Sequence, residues 1–459
     1  MKTDWNSKRV TILGAARQGQ AAARWLVRHG ARVTVNDRRS AEQLVAARSA
    51  LADLPITWVL GSHPLGILDA TDILFLSGGV PLDNPVVVEA QRRGIPLTND
   101  TQAFLEVVPC KTVGITGSAG KTTTTSLVGQ MAQAAFGARA HVGGNIGDPL
   151  LNHVDGMTPD NLAILEISSF QLEQMTISPA VAAILNITPN HLDRHGNMTA
   201  YTSAKRRILD FQSPSDTAVL CREDPGAWEL RGNVAGRLVS FGFGPLPARQ
   251  DGSFMADDIL HLREREVEIP LLRRDQVHLR GDHNVMNVLA GFAIGYAAGL
   301  PLDAMLTAAE EFQGVAHRLE FVRERNGTKW YNDSIATAPE RTMAAIRSFD
   351  EPIVLLLGGR DKKLPWGALM DLVRERVDHV VLFGEAAGLI AASFGQPAEG
   401  RRPYSLTTCQ NLEEAIQAAA QVAKPGSVVL LSPGGTSFDQ FNDFEARGEA
   451  FRKWVLELQ

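Results

Sequence analysis

Short apolar runs, each closed by glycine or a turn-forming pair, recur through the first hundred positions as RVTILG, ARVTVND, TDILFLSGG and IPLTND. They lack the alternation of a half-exposed strand, so they predict parallel strands covered on both faces. Between the first two runs, QGQAAARWLVRHG predicts a helix that stops at Gly30. The same rhythm resumes after Pro109 with KTVGIT, LAILEIS and VAAILNIT. It returns after His317 with EPIVLLLGG, DHVVLFGE and SVVLLSPGG, and helices such as TTSLVGQMAQAAF and NLEEAIQAAAQVA stand between the runs. Residues 243–275 mix proline, glycine and charge, which predicts peripheral strands and loops. The fold class is therefore α/β, with three domains at 1–108, 109–315 and 316–459. Each carries a largely parallel sheet flanked by helices, and ligands are expected beyond the carboxyl ends of its strands.

Composition narrows the functions. A length of 459 residues agrees with about three domains. The net charge of −6, without a basic stretch, argues against a nucleic-acid partner. Cys110, Cys221 and Cys409 are too scattered for a disulfide framework or a CxxC metal site, which suits a reducing cytoplasm. MKTDWNSKRV has no secretory apolar core, and VLAGFAIGYAAGL is too short to span a bilayer. The expectation is a cytoplasmic monomer acting on small molecules, with no membrane partner.

The clearest chemistry lies at GITGSAGKTT, residues 114–123. Strand, glycine turn, Lys-Thr and helix follow in the order of a phosphate-binding loop, but the loop is short: five positions before Gly120 stands Ile115, where G-x-x-x-x-G-K-[ST] has glycine. Gly117, Ser118, Ala119 and Gly120 can still turn backbone N–H groups toward an anion at the helix start, where Thr123 follows. Lys121 would reach the β- and γ-phosphates, and the Thr122 hydroxyl would face Mg²⁺. The plain alternative is a glycine-rich turn with an exposed lysine. No NKxD guanine motif occurs, and in place of a Walker B aspartate the strand LAILEISS carries Glu166. A carboxylate there is costly to bury unless it is paired or binds a cation, so it is either a metal ligand or an edge-strand glutamate paired with a lysine. In PNHLDRHG, His191 and His195 lie four apart with Asp193 between them, a spacing that could make a zinc pair on a helix. The Pro and Gly flanks, the missing HExxH and the lack of a third ligand favour a turn instead. One histidine would then serve a nucleotide-linked Mg²⁺, with His195 solvated.

The segments TGSAGKTT, LEISSFQLE, NITPNHLDRHG, YTSAKRRI, GDHNVMNVLA, AHRLE, YNDSIATAPE and SPGGTSFDQFNDFEARG occur in that order. Over nearly the whole chain they resemble the Mur ligases, the ATP-dependent amide-forming enzymes of peptidoglycan synthesis. SSFQLE and SFDQF are most like the branch that adds D-glutamate to UDP-N-acetylmuramoyl-L-alanine. The family's loop, T-G-x-x-G-K-[ST], accounts for the missing glycine. The resemblance implies that ATP phosphorylates the substrate carboxylate and that the amine of glutamate attacks the acyl phosphate. It implies ATP and two Mg²⁺ sites served by Thr122, Glu166 and His191, with Lys121 neutralising phosphoryl charge. Lys205 matches a lysine that is carbamylated and can then bind metal, which requires a neutral amine. Taken alone, Lys205 reads as a helix-surface residue beside Arg206 and Arg207.

By the same resemblance, Asn284 and Asn287 lie on the adenine side. Arg318 and Asp333 contact ATP, and His317 helps to place the phosphate; each could instead make an ordinary ion pair or hydrogen bond. Thr337, Lys362, Ser437 and Phe444 resemble a glutamate pocket. The first domain resembles a UDP-binding domain, with Gly14 in GAARQG, where Ala16 replaces the middle glycine of a dinucleotide turn. Asp37, Arg38, Ser77, Gly78, Asn145, Ser168 and Gln171 are its further candidate contacts, although Gly78 and Gly79 could serve only their turn. One departure is plain: the family's NDSKAT is NDSIAT here, so Ile335 replaces a lysine near the glutamate site. The family's L-glutamate-adding branch therefore stays open. A folylpolyglutamate synthase-like ligase is a further alternative, disfavoured by the complete first domain. A non-catalytic nucleotide-binding switch is the alternative of a different class.

Overall fold

The computed structural model describes residues 4–394 and 400–458. The first sheet contains β1 (Arg9–Leu13), β2 (Arg32–Asp37), β3 (Ile56–Leu60), β4 (Ile73–Leu76) and β5 (Leu97–Thr98), in the order β3-β2-β1-β4-β5. All of its pairings are parallel. Strand order reverses between β1 and β4, which opens a crevice beyond their carboxyl ends, at Gly14 and Ser77. The run IPLTND yields only two strand residues: Pro96 has no N–H to donate, and the Asn99 side chain already caps the helix Asp100–Val107.

The second sheet contains β6 (Lys111–Thr116), β7 (Ala140–Gly144), β8 (Leu162–Glu166), β9 (Val181–Ile184), β10 (Thr217–Cys221), β11 (Arg237–Phe241), β12 (Gly252–Ala256), β13 (Ile259–Glu264) and β14 (Val267–Arg273). Its order is β14-β13-β12-β11-β10-β9-β6-β8-β7, parallel from β7 to β12 and antiparallel beyond. The irregular region 243–275 is thus an antiparallel extension at one margin. The helix Asp282–Ala298, buried almost all round, packs against it, and Ser253 Oγ donates to Leu289 O at 2.6 Å.

The third sheet contains β15 (Glu320–Arg325), β16 (Thr328–Asn332), β17 (Ile353–Gly358), β18 (Val377–Phe383), β19 (Ser405–Thr408) and β20 (Val428–Gly434). Its order is β15-β16-β20-β17-β18-β19, with only β15 antiparallel. Ile353, Leu355 and Leu357 face one apolar layer while Val354 and Leu356 face the other, as the unbroken apolar run predicts for a sheet covered on both sides.

The three sheets fall into two compact units. One spans Met1–Val277 and Asp282–Phe312 and holds the first two sheets; the other spans His278–Gly281 and Gln313–Gln459. Within the first unit, polar contacts tie the two sheets together. Trp25 Nε1 donates to Asp155 Oδ1 at 3.1 Å, Asn99 Nδ2 to Leu-flanked Gln171 O at 2.9 Å, and Arg194 Nη2 to Val80 O at 2.8 Å. Among the described residues no helix is long and apolar enough to cross a membrane.

Candidate active site

The loop after β6 delivers the chain into the helix Lys121–Phe136 through Gly120, whose φ of 80° is left-handed. A Cβ at Gly120 would lie 2.3 Å from Asn287 Oδ1, so glycine is required both for conformation and for space. The residues after β9 grip the loop. Ala119 N–H donates to Asn186 Oδ1 at 2.8 Å, Asn186 Nδ2 returns a bond to Ala119 O at 3.2 Å, and Ser118 Oγ donates to Thr188 O at 2.9 Å beside Tyr201 Oη at 3.0 Å. Asn287 borders the loop, with Thr124 Oγ1 3.4 Å from its Oδ1, and its Nδ2 donates to Asn284 Oδ1 at 3.1 Å. The first intrahelical bond is Thr124 N–H to Gly120 O, so the N–H groups of Lys121 to Thr123 precede the ladder and could face an anion.

Two lysines converge on one carbonyl: Lys121 Nζ and Lys205 Nζ each donate to Gly117 O at 2.9 Å. Lys205 is only 1% exposed, which overturns its reading as a helix-surface residue. Burial, then the charge of Lys121, lowers its amine to about 7. A large share of the amine is therefore neutral near neutral pH, the form that carbamylation needs.

Glu166 ends β8, which lies between β6 and β7, so it is not on an edge strand, and among the described residues it makes no ion pair with a lysine. It stands in register with Ile115 and Gly144. Asn145 binds it twice, through its backbone N–H to Glu166 O at 2.8 Å and through Nδ2 to Oε1 at 2.8 Å. Glu166 Oε2 is buried without a hydrogen-bond partner. A buried carboxylate oxygen with unused lone pairs, in register beside the phosphate loop, fits a divalent cation. Among the described residues no group of three or more His, Cys, Asp and Glu side chains could hold a metal, so the zinc-pair reading finds no support. Mg²⁺ has no need of such a group, because it binds through one or two protein oxygens, water and phosphate.

PNHLDRHG forms a single helical turn, Leu192–His195, entered through His191 at a φ of 52°. The two histidines part around Phe170. His191 is exposed, edge-on to that ring at 5.2 Å. His195 is buried, stacked on the ring at 5.3 Å, with Nε2 3.0 Å from Ser169 Oγ and Nδ1 2.8 Å from Glu173. The expectation that His195 is solvated is therefore wrong: Phe170 and Tyr201 enclose it. The side chain of Asp193 lies outside the described residues.

At the first sheet, Ser77 Oγ donates to Gly14 O at 2.8 Å and Gly78 N–H to Gln18 Oε1 at 3.2 Å, so both candidates also build the turn. Asp37 is buried and accepts from Ala15 N–H and from the backbone and side chain of Arg39. Burial works to raise its carboxyl, but these hydrogen bonds outweigh burial and hold it at about 2. Oδ2 holds the GAARQG turn through Ala15 N–H while Oδ1 is spent on Arg39, with Arg38 exposed beside it. Ser168 and Gln171 form a capping box, and the Gln171 amide turns inward to Thr101 Oγ1 at 2.8 Å and to Asp100 rather than to a cleft. Burial pushes Asp100 up to about 6.

In the second unit, burial raises Asp333 to about 7, against Ser432 Oγ at 2.9 Å, Leu319 N–H and the charges of Arg318 and Arg341. His317 is buried, with Nδ1 3.0 Å from Asn332 Nδ2, so its visible role is to order this turn. Lys362 Nζ donates to Thr337 Oγ1 at 3.1 Å. Ser437 is buried, and the carbonyl of Phe444 accepts from Ser334 Oγ at 2.8 Å. Sequence reasoning missed Asn186 and Tyr201, both inside segments it had singled out. It also missed Arg447, fully buried and donating to Ser334 and Gly435 O. A charged residue in the amphipathic helix Phe444–Glu457 carries no sign of facing inward.

Comparison with known proteins gives a consistent picture. Residues 8–99 match the Mur ligase MurD-like N-terminal domain, 115–295 the Mur ligase middle domain, and 317–435 the Mur ligase glutamate ligase domain. The chain is 39% identical to UDP-N-acetylmuramoylalanine--D-glutamate ligase of Symbiobacterium thermophilum, covering 98% of each chain. It is 38% identical to the enzyme of the same name from Koribacter versatilis, covering 99% of this chain and 98% of that one. Among solved structures, UDP-N-acetylmuramate-alanine ligase MurC of Thermotoga maritima shares the fold, with a TM-score of 0.57 at 20% identity over 98% of this chain and 99% of that one. MurF of Acinetobacter baumannii does likewise, with a TM-score of 0.56 at 18% identity over 97% and 94%.

Proposed function

The chain belongs to the Mur ligase family, and from that premise we propose that it joins D-glutamate to UDP-N-acetylmuramoyl-L-alanine at the expense of ATP, in peptidoglycan precursor synthesis. The observation that carries the chemistry is the pairing of two lysines on Gly117 O with a buried, half-satisfied Glu166 in the neighbouring strand. Lys121 and the N–H groups of the helix start hold the phosphates and neutralise charge on the transferring phosphoryl group. Glu166, Thr122 and His191 would hold Mg²⁺, which when bound screens the phosphate oxygens. Neutral Lys205 attacks CO₂ through its lone pair and gives up a proton, and the resulting carbamate would serve a second Mg²⁺ site. Asn145, bonded to Glu166, would contact the UDP-linked substrate whose carboxylate receives the phosphoryl group. In the second unit Lys362, Thr337, Ser437 and Phe444 would receive glutamate, whose amine displaces phosphate from the acyl phosphate to form the amide.

The test is phosphate release from ATP with UDP-N-acetylmuramoyl-L-alanine and either glutamate enantiomer. Release that requires D-glutamate is expected. Release with L-glutamate alone would transfer the assignment to the L-adding branch that Ile335 keeps in view. ATP binding without release with either enantiomer would favour a nucleotide-binding switch.

A further inference from the structure

The five-residue turn Asp333–Thr337 is held tightly at the carboxyl ends of β16 and β20. Ile335 N–H donates to His317 O at 3.1 Å, Ala336 N–H to Asp333 O at 2.9 Å, and Gly434 N–H to Ala336 O at 2.9 Å. Two cations rest on this turn, one at each of two residues. Lys362 Nζ binds Thr337 Oγ1 at 3.1 Å, and Arg341 Nη1 binds Ile335 O at 3.2 Å, the carbonyl that also accepts Thr337 N–H at 2.9 Å. Both side chains belong to exposed residues, and among the described residues neither lies within ion-pair distance of a carboxylate. Their charges act on each other: Lys362 is lowered by burial, then by Arg341 and Arg447.

Arg341 is also badly placed for its own helix. It lies in the first turn of Pro339–Ile346, where the helix dipole disfavours a cation, and no side chain caps that end. Two like charges resting on one turn, both on exposed residues, with the buried Asp333 carboxyl the acid on which the Arg341 charge acts, fit a ligand with two carboxylates. We infer that Arg341 determines acceptor specificity, binding the α-carboxylate of glutamate while Lys362 binds the side-chain carboxylate. Arg341 thereby supplies the cation that Ile335 cannot. This assignment rests on the ligase reading above.

The test compares D-glutamate, its α-amide and its γ-amide as acceptors for the unmodified chain, Arg341→Ala and Arg341→Lys, with thermal midpoints recorded for each. Arg341→Ala is expected to raise KM for D-glutamate about ten- to a hundredfold, the loss of one charge-assisted hydrogen bond, and to leave KM for ATP within about twofold. It should cease to distinguish D-glutamate from its α-amide while still rejecting the γ-amide. Arg341→Lys should retain much of the α-amide discrimination. An unchanged KM, or an equal rise for D-glutamate and its α-amide, would overturn the assignment. A failure of the unmodified chain to use D-glutamate at all would overturn the D-glutamate reading on which the assignment rests, and failure with L-glutamate as well would overturn the ligase reading itself.

Discussion

Lys205 shows how far one residue's environment departs from its sequence context. Beside Arg206 and Arg207 it looks like one of three surface cations, yet its amine points to Gly117 O and is nearly sealed from water. Its folded value of about 7 lies well below the ordinary lysine value of about 10.4, so the amine is charged below pH 7 and increasingly neutral above it. Added bicarbonate is accordingly expected to raise turnover above that point and to have a fading effect below it, measured as phosphate release across pH 6–9. Lys205→Ala should lose most activity and recover part of it with short carboxylates; no recovery would count against the carbamate. Neither the burial of Lys205 nor that of His195 was legible in the chain. Phe170, which shelters His195, is 25 residues earlier, and only the packing of β6, β8 and the helix Met198–Asp210 brings these groups together.

At the scale of elements, strand-to-helix turns set the site. Gly120→Ala would force a side chain into a left-handed position and against Asn287, so it should weaken nucleotide binding and cost at least about 1–2 kcal/mol of stability. Nucleotide titration and thermal unfolding read the two effects separately. The junction of the helix Asp100–Val107 with Ser169–Leu172 carries a second signature. Folded Asp100 keeps its proton to about 6, whereas an unfolded aspartate releases it near 3.9. The folded state thus holds more protons between those values, and Asp100 makes the protein less stable as pH rises through that window. Asp100→Asn should gain stability relative to the unmodified chain from pH 4 to pH 7, by about 3 kcal/mol at most, in paired urea titrations. Most strands were readable because buried parallel strands are unbroken apolar runs. ITWVL, which forms β3, was passed over because it is an edge strand only half buried. The β15–β16 hairpin was passed over although Asn326-Gly327, both at positive φ, is a strong turn signal. RER lies on the partly exposed edge strand β15, and the polar Thr328 and Lys329 hide that β16 is an interior strand with Trp330 buried.

On the scale of the whole molecule, the three sheets that the apolar rhythm predicts are present, and the chain passes between its two compact units three times, at 277/278, 281/282 and 312/313. The short excursion His278–Gly281 is fastened by Arg280, which donates twice to Glu351, at 2.8 and 3.0 Å, and to Tyr331 Oη at 2.9 Å. Arg280→Ala should lower the unfolding midpoint of the second unit more than that of the first, by about 1–2 kcal/mol of local stability, in calorimetry. The position of β20 has a consequence for how the protein is made. The last strand in the chain lies between β16 and β17, in the middle of its sheet. A ribosome has therefore released every residue of the unit that holds the loop from Gly117 to Lys121 long before the third sheet can close. Until Val428–Gly434 emerges, β16 and β17 present unpaired edges to any neighbouring chain. A message cut short before that strand would yield a chain that still carries the loop from Gly117 to Lys121, has an open third sheet, and is prone to aggregate along those two edges.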